Sequence, residues 1–207
     1  MTSSSTYHHG DLPNALRAAT AELIGEVGPT AFSLREVARR AGVSHAAPAH
    51  HFRDKGGLIL AVAIEGFERL SDALGSDDIL AIDDPVDRLA AQGRAYVEVA
   101  VGNPGHFAVM FRPELYPDRD TGDAGAVAFG RLTDTITLIR DQLAPDLDVM
   151  KGAMFVWSMV QGLVGLSAVL GEDGKFEVGD ESLEAEIGEL IEQMSHMAVH
   201  GLISAGT

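Results

Sequence analysis

Residues 33–52, SLREVARRAGVSHAAPAHHF, leave the backbone little choice. Ser33 followed three positions later by Glu36 has the spacing of a helix-opening capping box, and Leu34, Val37, Ala38 and Ala41 then recur on one helical face. Gly42 stops that helix, because a residue without a Cβ turns most easily into the left-handed region. Ser44 can cap a new helix at once, and Val43 and Phe52 are the apolar pegs that would hold it against its neighbours. The spacing therefore predicts a short helix, a Gly42-Val43-Ser44 turn and a second short helix ending near Phe52. With the small Ala38 where the two would cross, this is the helix-turn-helix arrangement.

The rest of the chain reads as helix throughout. Asp11 is placed as an N-cap for an apolar stripe of Leu12, Leu16, Ala19, Leu23 and Val27, with Pro13 tolerated in the first turn and Gly28-Pro29 closing the helix. A longer amphipathic helix is predicted from Asp54 through Leu58, Val62, Ile64, Phe67 and Leu70 to about Leu74, long enough to connect two domains. GSDDILAIDDP, residues 75–85, reads as an acidic connector. Helical patterns follow at 85–101, 104–111, 123–143, 148–170 and 181–204, parted by Asn103-Pro104, RPELYPDRDTG and GEDGKFEVGD. No strand alternation or hairpin dipeptide interrupts them, so the expected fold class is all-α.

Charge divides the chain. The net charge of −16 argues against a polyanionic partner, but residues 1–55 hold six Lys/Arg against five Asp/Glu, and the remaining 152 residues hold nine against 26. Only the N-terminal quarter, which also carries five of the eight histidines, can approach a polyanion without repulsion. The absence of cysteine suits a reducing compartment, no run of 18 uninterrupted apolar residues suggests a membrane span, and the polar MTSSSTYHHGD start does not resemble a signal peptide. The expectation is a cytoplasmic protein with no membrane partner.

Three histidines in seven residues invite a metal. On a helix, however, His50 and His51 lie about 140° and 240° around the axis from His45, so the three do not converge as a pair four apart does. His8 and His9 join them only through an unspecified tertiary contact, and no metal or other cofactor is expected. None of the nucleophile-elbow, dinucleotide, phosphate-loop or zinc-protease spacings occurs, so no catalytic residue is assigned.

The stretch TAFSLREVARRAGVSHAAPAHHFRDKGGL resembles the helix-turn-helix of the tetracycline-repressor (TetR) family, and YHHGDL at 7–12 resembles the segment that enters its first helix. The resemblance implies a three-helix DNA-binding domain at 8–68 and a larger helical domain at 69–207 that binds an effector and dimerises. It also implies that the second short helix enters the major groove by its N-terminal end, making Ser44, His45, Ala46 and Ala47 the expected base contacts. Arg35 corresponds to a position that reaches base or phosphate, and Ser33, His50, His51 and Lys55 to phosphate contacts. Arg39 and Arg40 serve equally well as a solvated helix face. Two residues depart from the pattern. Ala49 stands where the family usually has a tyrosine beside the DNA backbone, and Pro48, counted from a Ser44 cap, gives up the first intrahelical hydrogen bond.

FRPELY and WSMVQGLVGL further resemble a subgroup named for a Trp, a His and a Gly, with Gln161 in place of the His. By that resemblance the last two helices pack with their mates in a homodimer. Tyr96, Phe107, Met110, Phe111, Met154, Trp157 and Gln161, with Phe155 and Met159 nearby, form an aromatic and thioether set fit to line a pocket for a small, mainly apolar effector. The function implied is a ligand-responsive repressor on a palindromic double-stranded operator. Two other classes stay open: a helical enzyme using His106, His196 or His200 as a general base, and a dimeric adaptor that has lost DNA binding through Ala49.

Overall fold

The computed structural model describes residues 12–170 and 181–205; the Asp11 cap, segment 7–11 and the 171–180 connector lie outside these. Ten α-helices and one 3-10 turn make up the described residues, with no strand among them. Contacts divide the chain into two units: the chain up to Gly66 together with Asn103–Thr121, and Phe67–Gly102 together with the chain from Gly122.

In the first unit, α1 (Leu12–Val27) buries Leu16, Ala19 and Leu23 of the expected stripe together with Thr20, Ala21 and Ile24, while Val27, in its last turn, is exposed. α2 (Leu34–Arg40) is capped as its sequence requires, with the Ser33 hydroxyl accepting from the Glu36 N–H at 3.2 Å. The reciprocal half of the capping box is replaced, since the Glu36 carboxylate takes the Arg39 guanidinium at 2.6 and 2.9 Å. Gly42, at φ 69°, ends the helix in a Schellman motif, with Val43 N–H donating to Ala38 C=O at 2.9 Å and Gly42 N–H to Arg39 C=O at 3.2 Å.

α3 (Ala47–Phe52) begins later than a Ser44 cap predicts. The Ser44 carbonyl accepts from Ala47 N–H at 3.0 Å in a tight turn, so Pro48 falls in the first helical turn, where its missing N–H breaks nothing. The proline therefore starts this helix and does not weaken it. α4 (Lys55–Leu74) buries Leu58, Ile59, Val62 and Ala63 against Leu16, Val37 and Phe32.

α7 (Pro104–Met110) completes this unit by packing on α1, and the 3-10 turn at Pro113–Leu115 packs on α7. A Cβ on Gly105 would lie 1.9 Å from the Ala21 carbonyl, so the approach of α7 to α1 is open to glycine alone. Val109 and Tyr116 enter the same apolar core.

The second unit is built from the end of α4, α5 (Asp77–Leu80), α6 (Pro85–Gly102), α8 (Ala124–Leu143), α9 (Val149–Leu170) and α10 (Glu181–Ala205). α5 lies inside the expected connector; Arg88 from α6 donates to the Leu80 and Ile82 carbonyls at 2.8–3.0 Å and so closes its C-terminal end. The core of this unit gathers Val86, Leu89, Ile136, Ile139, Ala153 and Val199. α9 leaves an apolar stripe of Met150, Met154, Phe155 and Leu166 exposed, and Met197 and Leu190 are exposed on α10. Ser158, Gly162 and Gly165 continue that exposed stripe, and apart from the backbone of α9 itself no described atom lies within 4 Å of a Cβ built on either glycine. Residues 149–166 are long and apolar enough to cross a membrane by length and composition.

Candidate nucleic-acid interface

α3 presents one face and buries the other. Ala47 and Pro48 turn into the core, whereas Ser44, His45, Ala46, Ala49, His50 and His51 are exposed. Ala47, expected as a base contact, is 9% exposed and packs with Val37 and Leu58, so its methyl is not offered outward. The outward face is thus Ser44, His45 and Ala46 in the leading turn, then Ala49 and His50, with the His50 and His51 rings meeting edge-on at 5.1 Å. It carries no Lys or Arg.

The cations around it are largely held within the chain. Arg17 pairs with Glu65 at 2.9 Å and also donates to Asn14, Arg39 pairs with Glu36, and Arg40 joins α2 to α1 through Glu26 at 2.6 and 2.8 Å. The solvated-face reading of Arg39 and Arg40 thus gains specific acidic partners, whose carboxyls they hold below the usual range.

Lys55, expected at a phosphate, donates to the Thr30 and Phe32 carbonyls at 2.8 Å each and lies 4.1 Å from the centre of the Phe32 ring. Its ammonium, pushed down in pKa by burial, ties the α1–α2 loop to the start of α4 and keeps one proton for another acceptor. Arg35 and Arg53 are exposed and form no ion pair among the described residues. Ser33 spends its oxygen on the α2 cap and retains its hydroxyl proton.

Arg53 escapes a motif-based reading. It is the C-cap of α3, at φ 71°, and is one of two non-glycine residues with positive φ among those described. Asp54 follows it, caps α4 by accepting from Gly57 N–H at 2.9 Å, and takes a bidentate ion pair from Arg119. The sequence signal for Arg53 was its place as the only Lys or Arg between Arg40 and Lys55.

The residues expected to line one pocket are not gathered in one unit. Phe107, Met110 and Phe111 belong to the first, where Met110, 2% exposed, fills the space over Gly66, and Phe107 meets Phe111 edge-on at 5.5 Å. In the second, Trp157 Nε1 donates to the Tyr96 hydroxyl at 3.4 Å and its ring lies 5.4 Å from Phe129, while Met154 is exposed on the α9 stripe and Gln161 is half-buried. Burial pushes the Tyr96 phenol well above its ordinary pKa, so it remains a neutral hydrogen-bonding group.

His106 is buried in the first unit with Nε2 3.6 Å from Glu65, whose carboxylate also holds Arg17. His196 and His200 are exposed on α10. Among the described residues no three His, Cys, Asp or Glu side chains are grouped as a metal ion requires.

Residues 16–62 match the family described as bacterial regulatory proteins, tetR family, and residues 89–190 match the tetracyclin repressor-like C-terminal domain. Neither description names a Trp-His-Gly subgroup. The HTH-type transcriptional regulator BetI of Escherichia coli is 45% identical over 56 residues, 27% of this chain and 29% of that protein. The chain therefore matches less than a third of the length of that curated relative. A solved structure of a protein with unknown function from Rhodococcus sp. RHA1 is 29% identical with a TM-score of 0.77, covering 97% of this chain and 100% of that one. FadR from Bacillus subtilis, solved in complex with stearoyl-CoA, has a TM-score of 0.69 at 16% identity over 92% of this chain and 97% of that one, a likeness of fold.

Proposed function

The chain belongs to the tetR family of bacterial regulatory proteins, and on that premise we propose that it is a cytoplasmic transcriptional repressor that binds a palindromic operator as a homodimer and releases it when a small, mainly apolar effector binds. Residues 8–68 read DNA, and residues 69–207 bind the effector and dimerise. The observation that carries this reading is the exposed turn leading into α3, Ser44-His45-Ala46, before a helix whose opposite side is buried through Ala47 and Pro48. His45 offers a base edge a hydrogen bond and Ala46 offers a thymine methyl a contact, while Arg35, Arg53, His50, His51 and the third Lys55 proton meet phosphates.

A second copy of the chain accounts for the α9 stripe. Met150, Met154, Phe155 and Leu166 form an exposed apolar surface on a helix whose Gly162 and Gly165 leave room for close approach by another helix. Two copies related by a two-fold axis present two α3 helices, which is what a palindromic site requires. The same stripe explains why α9 is apolar enough to span a membrane by composition.

For the effector, the Tyr96–Trp157–Phe129 group supplies an aromatic wall with one buried hydroxyl. An effector releases DNA only by favouring the state whose α3 helices are wrongly spaced, since a ligand indifferent to both states shifts nothing. α4, which passes from the first unit to the second at Gly66, is one of three covalent crossings between them, with those at Gly102–Asn103 and Thr121–Gly122.

The test is fluorescence anisotropy against the DNA flanking the protein's own gene, with a salt titration, and with stearoyl-CoA added as an acyl probe. Sequence-specific binding that weakens with salt supports the regulator. Absence of specific binding from low to physiological salt leaves the adaptor and enzyme readings in its place.

A further inference from the structure

The turn that carries Arg53 is held by a residue far along the chain. A left-handed backbone is unfavourable for a side chain with a Cβ, and it persists where its surroundings fix it. Here Asp54 N–H donates to the Phe52 carbonyl at 2.9 Å, and Asp54 Oδ1 accepts from Gly57 N–H at 2.9 Å. Both oxygens of the same carboxylate meet the Arg119 guanidinium, Nη1 to Oδ1 at 3.0 Å and Nη2 to Oδ2 at 2.7 Å.

The approach to that contact is built residue by residue. Tyr116, 2% exposed, anchors the segment in the core, and its hydroxyl donates to the Met110 carbonyl at 3.2 Å. Asp118, at φ 60°, then bends the chain, and Arg119 follows. A Cβ on Gly56 would lie 2.6 Å from Arg119 Nη1, so a side chain there would push the guanidinium aside. The Arg119 contact holds the Asp54 carboxyl down to a pKa of about 2.

Asp54 sits between Arg53 and Lys55, on the side of the molecule meant to meet phosphates. Left alone, its charge would repel an approaching polyanion. We propose that Arg119 is a positioning residue for DNA binding: acting through Asp54, it fixes the α3–α4 turn that presents Arg53 and neutralises the carboxylate within it. This rests on the DNA-binding reading above. Arg119 itself makes no contact with DNA in this scheme, so its removal alters affinity without altering the number of phosphates neutralised.

The experiment uses the full chain and four variants, Arg119→Gln, Arg119→Lys, Asp54→Asn and the double variant Arg119→Gln with Asp54→Asn. Operator affinity is measured across salt concentrations, and backbone amide exchange is measured at Gly57 and Leu58. Arg119→Gln is expected to weaken operator binding about three- to tenfold, the competent fraction falling as the turn loosens, with an unchanged salt slope. Exchange at Gly57 and Leu58 should accelerate in the same variant, and Arg119→Lys should recover part of both effects.

The double variant should bind no more weakly than Arg119→Gln alone, because asparagine still caps α4 and the unpaired charge is gone. Unchanged affinity in Arg119→Gln, or a salt slope reduced by about one, overturns the proposal, the latter by making Arg119 a phosphate contact. If the wild-type chain binds no DNA specifically, the functional reading falls and takes this one with it. If the wild type binds and Arg119→Gln binds equally well, only this inference falls.

Discussion

The two outward surfaces of this protein are built on opposite economies of charge. Around α3, four of the six Lys/Arg in residues 1–55 are held by partners within the chain, leaving Arg35, Arg53 and three exposed histidines to face an anion. Along α9, in the strongly acidic remainder, the exposed surface is instead apolar: Met150, Met154, Phe155 and Leu166. A single head so poor in free cations is a weak polyelectrolyte, and on the proposed reading operator affinity comes from two heads joined through the apolar α9 surface. Linking two weak contacts raises the overall affinity by about a hundredfold or more when geometry lets both engage.

The largest effect should follow from spoiling the apolar surface. Phe155→Asp with Leu166→Asp places charges where a partner helix would bury them, and should yield a monomer by sedimentation that binds operator about a hundredfold more weakly. Both side chains are exposed in the chain itself, so helix content should persist in circular dichroism. A variant that stays dimeric would show that the α9 stripe serves something else.

Next in size are the cations, which divide by role. Arg53→Ala and Arg35→Ala should each weaken binding about tenfold and lower the salt slope by about one, as the loss of a phosphate contact does. Lys55→Met leaves the Thr30 and Phe32 carbonyls without their charged donor, so it should lower stability by about 1–2 kcal/mol in chemical denaturation. A fall of one in salt slope with unchanged stability would make Lys55 chiefly a phosphate clamp.

A smaller effect concerns acid, through the Asp54–Arg119 pair. Its carboxyl is depressed to about 2, so its stabilisation is complete above the ordinary carboxylate range and is lost only as pH falls through about 2. The smallest change is a gain: Ala49→Tyr, at an exposed position, restores a phosphate-bonding ring and should tighten binding about threefold with the fold unaltered.

What could be read in the sequence was local. α1, α2, α4, α6, α8 and α9 lie close to where periodicity, Ser33, Gly42 and Pro85 put them, since caps and stripes act within one turn of chain. α5 was not legible, because the residue that closes its end, Arg88, arrives from the next helix. The start of α3 shifted to Ala47 because the preceding turn absorbs the Ser44 carbonyl, a choice that residue types alone leave open.

The site was legible as a surface and not as a set of bonds. His45, Ala46, Ala49 and His50 lie on the exposed face of α3, but the partners of Lys55 and Arg40 are fixed by packing between distant segments. The aromatic set divides between the two units for the same reason: nothing in its periodicity shows that Asn103–Thr121, with Phe107, Met110 and Phe111, belongs to the first unit, while Tyr96 and Trp157 belong to the second.

If two cation-poor heads are made effective by an apolar interface, operator DNA with one half-site and with two must be bound very differently. With the operator found by selection from random duplexes, anisotropy at physiological salt should show the two-half-site duplex bound about a hundredfold more tightly, with two chains per duplex. Equal affinity for a single half-site, or one chain bound to the full site, would contradict it.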